Sequence, residues 1–223
     1  MDDFYHQVLE AFRKNTDPDK AREMKSYMRD QFEYFGIMAP KRKEITKPFL
    51  QKKSLPPIDV VNLTVEKIWG QPYREFYYFG IELLQKGKDK VSEKQIRFYE
   101  WLITHHSWWD TVDLIASNLV GPYFLKFPYK KNEIIDEWLQ SGDIWLQRTA
   151  ILFQLKYRDK IDLDTLEKPI LYCKNSNEFF LQKAIGWALR QHGKIAPDYV
   201  RNFIQTHPDL SHLSKSEALK KIS

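Results

Sequence analysis

Trp145-Leu146-Gln147-Arg148-Thr149-Ala150-Ile151 returns 35 residues later as Phe180-Leu181-Gln182-Lys183-Ala184-Ile185-Gly186. Aromatic matches aromatic, Leu-Gln matches Leu-Gln, and the cations Arg148 and Lys183 fall at the same place. The spacing continues backwards: Trp108 lies 37 residues before Trp145, and Pro72 lies 36 before Trp108. A period of this size belongs to stacked helix pairs, because one pair cannot bury its apolar face until the next pair covers it. The signatures of TPR repeats are absent, so a HEAT-like unit fits better.

The rest of the chain reads as helix after helix. Apolar residues at 4, 8, 9 and 12 predict a short amphipathic helix over 4–14. Asp17-Pro18 supplies an N-cap and a Pro at the first helical position, opening a helix predicted over 18–32 that carries Tyr27 and Met28 among cations. Gly36 breaks that pattern, and Pro40 opens a basic helix containing Lys41, Arg42, Lys43 and Lys47. Pro56-Pro57 opens the next, which runs to Trp69. Further helices are predicted over 72–86, 92–105, 107–120, 131–141, 143–158, 163–173, 177–192, 196–206 and 214–222, with short links and no β segment. The predicted fold is all-α: a curved solenoid of stacked antiparallel helix pairs, one domain over 1–223.

Composition bounds the function. At 43% hydrophobic and 15% aromatic, the 223 residues can form a packed core, which argues against general disorder. Only eight Gly argue against a β-barrel or a Gly-loop nucleotide fold. A net charge of +5 is compatible with nucleic acid without requiring it. The solitary Cys173 rules out an intramolecular disulfide framework and a Cys-rich metal site, and it fits a reducing cytosol. No apolar signal core or membrane-length run is present, so a cytoplasmic location is expected. His105-His106 makes a poor metal site, since adjacent helical residues diverge and no third ligand lies nearby in sequence. Cys173 sits on an apolar helix face and is expected in the core.

Ser107-Trp108-Trp109-Asp110-Thr111-Val112-Asp113 combines two indoles with two carboxylates. Trp109 and Asp113 are four apart and share one helix face. An Asp beside a large aromatic is a poor core pair, because an unpaired buried carboxylate costs several kcal/mol. Taken alone, the stretch is better read as the acidic first turns of a helix whose Trp108 is core and whose Trp109 lines a groove.

Repeat register places Trp109 and Asp113, Arg148 with Lys156, and Lys183, Trp187 and Arg190 on the inner face of successive second helices. Arg148 and Lys183 would then form a basic row. For any single Lys or Arg, a solvated surface charge is the simpler reading, and recurrence at the repeat period weakens it. Cations interleaved with aromatics suit a nucleic-acid groove, where cations meet phosphates and π faces meet sugars and bases. The run Lys41 to Lys43 is either a solvated face or a set of phosphate contacts. Of Phe179 and Phe180, one is expected in the core and the other at the groove.

These residues carry a resemblance. Tyr27-Met28, Phe35-Gly36-Ile37, Pro40 with Arg42, Ser107-Trp108-Trp109-Asp110, Val112-Asp113, the stretches 144–148 and 150–157, Glu178-Phe179-Phe180 and 182–187 together resemble the HEAT-like-repeat DNA glycosylases of the DNA alkylation repair (AlkD) family. The resemblance covers nearly the full length. It implies a monofunctional enzyme that excises cationic N-alkylated purines, such as 3-methyladenine and 7-methylguanine, from double-stranded DNA without flipping the base. By the same resemblance Asp113 would be the catalytic carboxylate, and Trp109, Trp187 and Tyr27 would cradle the deoxyribose of the lesion. Arg148 would contact phosphate near the lesion.

The DNA-contacting set expected from register and resemblance together is Tyr27, Arg148, Lys183, Lys156, Arg190, Arg42, Lys43, Lys47 and Phe179. No cofactor and no metal are expected, and the protein is expected to act as a monomer. The chemistry agrees with this reading. An alkylpurinium leaves as a neutral base and needs no general acid, so one carboxylate and electron-rich rings suffice at the sugar. Met38 departs from the polar residue, often Gln, expected where family members meet DNA. A second function class stands beside the enzyme: a non-catalytic HEAT-like module binding branched or bent DNA, or another protein.

Overall fold

The computed structural model describes residues 2–51, 53 and 55–220. Among these the chain is all-helical and forms no strand, only an isolated bridge between Glu33 and Tyr73. No helix is long and apolar enough to cross a membrane. The chain divides into two compact units, residues 1–92 and 93–223.

The first unit holds α1 (Asp2–Arg13), α2 (Pro18–Tyr27), α3 (Ala39–Thr46), α4 (Ile58–Trp69) and α5 (Arg74–Lys86). Asp17 caps α2, its carboxylate accepting the Lys20 N–H at 3.1 Å ahead of Pro18. The prediction that this helix reaches residue 32 is corrected: it ends at Tyr27. Arg29 and Asp30 take left-handed φ of 55° and 57°, and the Asp30 N–H returns to the Lys25 carbonyl at 2.9 Å. That closure satisfies a C-terminal carbonyl and turns the buried Met28 into the core.

Phe12, Phe35, Phe76 and Phe79 form the centre of this unit, with Phe35 stacked on Tyr73 at 3.9 Å. Glu75 is fully buried beside them, and its carboxylate accepts the backbone N–H groups of Phe35, Gly36 and Ile37 at 2.9–3.1 Å. Gly36 is obligatory there. Its φ is +83°, and a Cβ would lie 1.9 Å from the Asp17 carbonyl oxygen.

The second unit holds α6 (Gln95–Thr104), α7 (Trp109–Ile115), α8 (Gly121–Lys126), α9 (Lys131–Gln140), α10 (Ile144–Leu152), α11 (Leu163–Cys173), α12 (Phe179–Gly193), α13 (Pro197–Thr206) and α14 (His212–Leu219). Two layers result. In one, α7 packs on α10, α10 on α12 and α12 on α14; in the other lie α9, α11 and α13, which bridge the same helices. Cys173 is buried in the core of this unit, as expected, and its burial pushes the thiol up to about 11.

Two boundaries differ from the predicted ones for physical reasons. The helix predicted over 107–120 continues to Lys126 through a π turn at Ala116–Val120. Pro122 has no N–H and would clash with the preceding turn, and the wider turn, with the Gly121 N–H reaching the Ala116 carbonyl, accommodates it. The helix predicted over 143–158 stops at Leu152. Gln154 is buried there and exchanges two hydrogen bonds with the Asp162 backbone, at 2.9 and 3.1 Å, which takes the chain out of the helix. The last predicted helix begins earlier, at His212, and residues 221–222 of that prediction lie outside the described residues.

Candidate active site

Four helices of the first layer line one cleft of about 380 Å³ within the second unit. Trp109 and Asp113 come from α7 and Arg148 from α10. Phe179, Phe180, Lys183, Trp187 and Arg190 come from α12, and Glu217 from α14. Seven of these nine are residues that register or resemblance singles out: Trp109, Asp113, Arg148, Phe179, Lys183, Trp187 and Arg190.

Local sequence sets their directions. Trp108 is extended ahead of α7, and its indole packs on Trp145 at 5.9 Å and Phe180 at 5.2 Å. Trp109, the first residue of the helix, then lies against the cleft together with Asp113, one turn on. Asp143 caps α10 by accepting the N–H groups of Trp145 and Leu146 at 2.8 and 2.9 Å, which sets the phase of the helix carrying Arg148. Phe180 sits at the cleft while its ring also closes the Trp108–Trp145 cluster. Phe179, beside it, is 54% exposed. Neither is a core residue.

At the base of the cleft Asp113 and Arg148 form a bidentate pair. Arg148 Nε donates to Oδ1 at 2.7 Å and Nη2 donates to Oδ2 at 2.9 Å. Nη1 donates to the Phe180 carbonyl oxygen. Both residues are buried. Burial pushes the Asp113 carboxyl above the usual carboxylate range; the Arg148 guanidinium pulls it back, and the charge of Asp110 adds to the rise. The expected basic row of Arg148 and Lys183 lines the cleft, but its two members differ in exposure. Arg148 is 4% exposed, because a carboxylate taken out of water needs a counter-charge beside it.

A second charge cluster lies at the same cleft. Glu217 is 5% exposed and accepts from Lys183 Nζ at 2.8 Å, from Arg190 Nη1 at 2.9 Å and from Lys220. Lys183 foremost, with Lys220, pulls its carboxyl down to about 2.

The other residues singled out by sequence lie elsewhere. Lys156 is exposed, donates to the Asn118 side chain and is not among the lining residues. Tyr27 belongs to the first unit, 75% exposed at the end of α2. Lys43 and Lys47 are exposed on the first unit and line a separate hollow of about 480 Å³ with Glu82 and Lys86. Arg42 is not on that surface: it is buried over the Tyr78 ring, with Nη2 3.4 Å from Glu82. Met38 is half exposed at the start of α3. Among the described residues no group of His, Cys, Asp and Glu side chains is arranged to hold a metal.

Glu217 escaped the sequence reading, although a signal for it exists. Asp113, Arg148, Lys183 and Glu217 follow one another at 35, 35 and 34 residues. They occupy one position in four successive repeats, with charges that run minus, plus, plus, minus.

The comparisons with known proteins agree on one family. A family model described as DNA alkylation repair enzyme matches residues 8–222. The fold also matches a solved structure described as a predicted DNA alkylation repair enzyme from Enterococcus faecalis. The TM-score is 0.86 at 29% identity, over 94% of this chain and 97% of that one. No curated protein matches.

Proposed function

The chain belongs to the DNA alkylation repair enzyme family, and on that premise we propose that it is a monofunctional DNA glycosylase releasing cationic N-alkylated purines, such as 3-methyladenine and 7-methylguanine, from duplex DNA. The observation that carries this reading is a carboxylate, Asp113, at the base of a cleft walled by the indoles of Trp109 and Trp187. In an alkylpurinium nucleotide the bond from C1′ to the purine nitrogen breaks with its electron pair going to the base. The base leaves neutral, and positive charge moves onto the sugar. Asp113 faces that charge, and the ring faces of Trp109 and Trp187 add cation–π attraction. Water then bonds to C1′ and gives its proton to Asp113, leaving an abasic site.

A single preorganised contact of this kind is worth about 3–4 kcal/mol of the barrier. No acid is required for the leaving group, and the sugar rather than the base is what the cleft must reach, so the base need not be extruded into a pocket of its own. Lys183 and Arg190, beside the carboxylate, supply the positive charge that offsets its repulsion of DNA. Exposed cations and Tyr27 on the first unit are further candidates for DNA contact, and the protein is proposed to act as a monomer.

The test is release of 7-methylguanine from a defined duplex under single-turnover conditions, followed by alkaline cleavage at the abasic site. A second reading rests on the Asp113–Arg148 pair itself. Both carboxylate oxygens are engaged, which also fits a structural ion pair in a non-catalytic module for branched or bent DNA. Duplex binding with no base release would select that reading.

A further inference from the structure

Glu217 reaches the cleft on a helix that touches α12 at Gly186. A Cβ on Gly186 would lie 2.4 Å from the Glu217 Cβ and 2.7 Å from the Ser214 carbonyl oxygen, so this approach needs Gly. Ser214 Oγ donates to the Gln182 carbonyl at 2.9 Å and locks α14 in place. The carboxylate so delivered is nearly inaccessible to water, yet three cations converge on it: Lys183, Arg190 and Lys220. One negative charge facing three positive ones leaves the cluster cationic. The side chains of Lys183 and Arg190 remain 36% and 26% exposed, and both line the cleft.

Long cationic side chains lose rotamer freedom when they settle on a phosphate, and that loss weakens binding. Here the loss has been taken during folding, because a buried carboxylate already holds both heads. Each head keeps donors to spare. A Lys ammonium has three N–H groups and a guanidinium five, whereas the bonds to Glu217 engage Nζ of one and Nη1 of the other.

We propose that Glu217 is a positioning residue for DNA: its buried carboxylate presets Lys183 and Arg190 at the cleft wall to meet backbone phosphates. The inference rests on the DNA-acting function proposed above, and it reverses the usual rule that removing a negative charge from a DNA-facing site tightens binding.

The experiment is a salt titration of binding to a short undamaged duplex, with Glu217→Gln and Glu217→Asp beside the wild-type protein. Gln raises the net charge by one, so charge alone predicts tighter binding and an equal or steeper salt slope. Positioning predicts binding weaker by roughly tenfold, as two long side chains regain the freedom they must then lose, and a slope smaller by about two units. Glu217→Asp keeps the charge and withdraws the carboxylate by one methylene, so it carries the test if the Gln variant fails to fold. Charge alone predicts no change for it, and positioning predicts the same direction of loss. Melting curves on each variant confirm that the fold is intact. Equal or tighter binding with an unchanged slope in a folded variant overturns the role of Glu217 alone. A wild-type protein that binds no duplex overturns this inference and the proposed function together.

Discussion

Arg148 holds both carboxylate oxygens of Asp113, at 2.7 and 2.9 Å, from a position one repeat further along the chain. The pair is buried at the base of the cleft, so the proposed catalytic charge is already engaged by a counter-charge.

Asp113→Asn separates charge from shape. Excision of 7-methylguanine should fall by orders of magnitude, since about 3–4 kcal/mol of transition-state stabilisation is removed. Asn resembles the protonated carboxyl, the form that burial favours, so stability should change little. Single-turnover release alongside urea unfolding measures both. Wild-type excision by a folded variant would end the catalytic assignment.

Arg148→Ala should behave unlike a lost phosphate contact. Its guanidinium is spent on Asp113 and the Phe180 carbonyl, so the salt slope of duplex binding should stay unchanged while stability drops. Excision should fall and its acid limb should move to higher pH, because Asp113 without its counter-charge is raised further. A slope smaller by about one unit would instead return Arg148 to the DNA backbone.

The pH profile of the wild-type enzyme follows from the same pair. Burial raises the Asp113 carboxyl, so its acid limb of excision should lie above the ordinary carboxylate range, with activity lost as pH falls through it. The linkage to stability has the opposite sign. The folded state takes up this proton at a higher pH than the unfolded chain, so through this group mild acid favours the fold while it silences the chemistry. An acid limb at the ordinary Asp value would contradict the assignment.

Trp109→Ala and Trp187→Ala should reduce excision at modest cost in stability, because both rings are half-buried at the cleft. Trp69→Ala and Trp138→Ala, at fully buried positions, should each cost about 3–5 kcal/mol. Melting curves of the four variants make the comparison. A collapse for the cleft pair equal to that of the core pair would make Trp109 and Trp187 packing residues.

His192 should make the second unit sensitive to acid. It is buried on α12 against the Tyr199 ring at 5.0 Å, with both ring nitrogens unpartnered among the described residues, and burial lowers its pKa below 6.5. The Tyr199 hydroxyl is turned to Glu167. The unfolded chain therefore takes up the His192 proton first, and stability falls as pH drops from about 6.5 toward the folded value. His192→Leu should flatten that dependence in urea unfolding between about pH 7.5 and 5.5. An equal slope in both proteins would assign the acid sensitivity elsewhere.

The sequence by itself determined the all-helical content, the repeat and the family, because helix periodicity and a period near 35 residues are local or quasi-local properties. It also reached most of one cleft: Trp109 and Asp113 share a face through i,i+4 spacing, and Arg148 and Lys183 through the repeat. It did not reveal which charge meets which. Asp113, Arg148, Lys183 and Glu217 hold the same angular place on α7, α10, α12 and α14, yet Arg148 pairs backwards to Asp113 and Lys183 forwards to Glu217. Spacing along the chain sets where a side chain points on its own helix. The distance between helices decides which neighbour it reaches, and that distance depends on contacts such as Gly186 against Ser214 and Glu217, made between helices far apart in sequence. The early end of α2 and the π turn before Pro122 were likewise decided by closures that no helical period records.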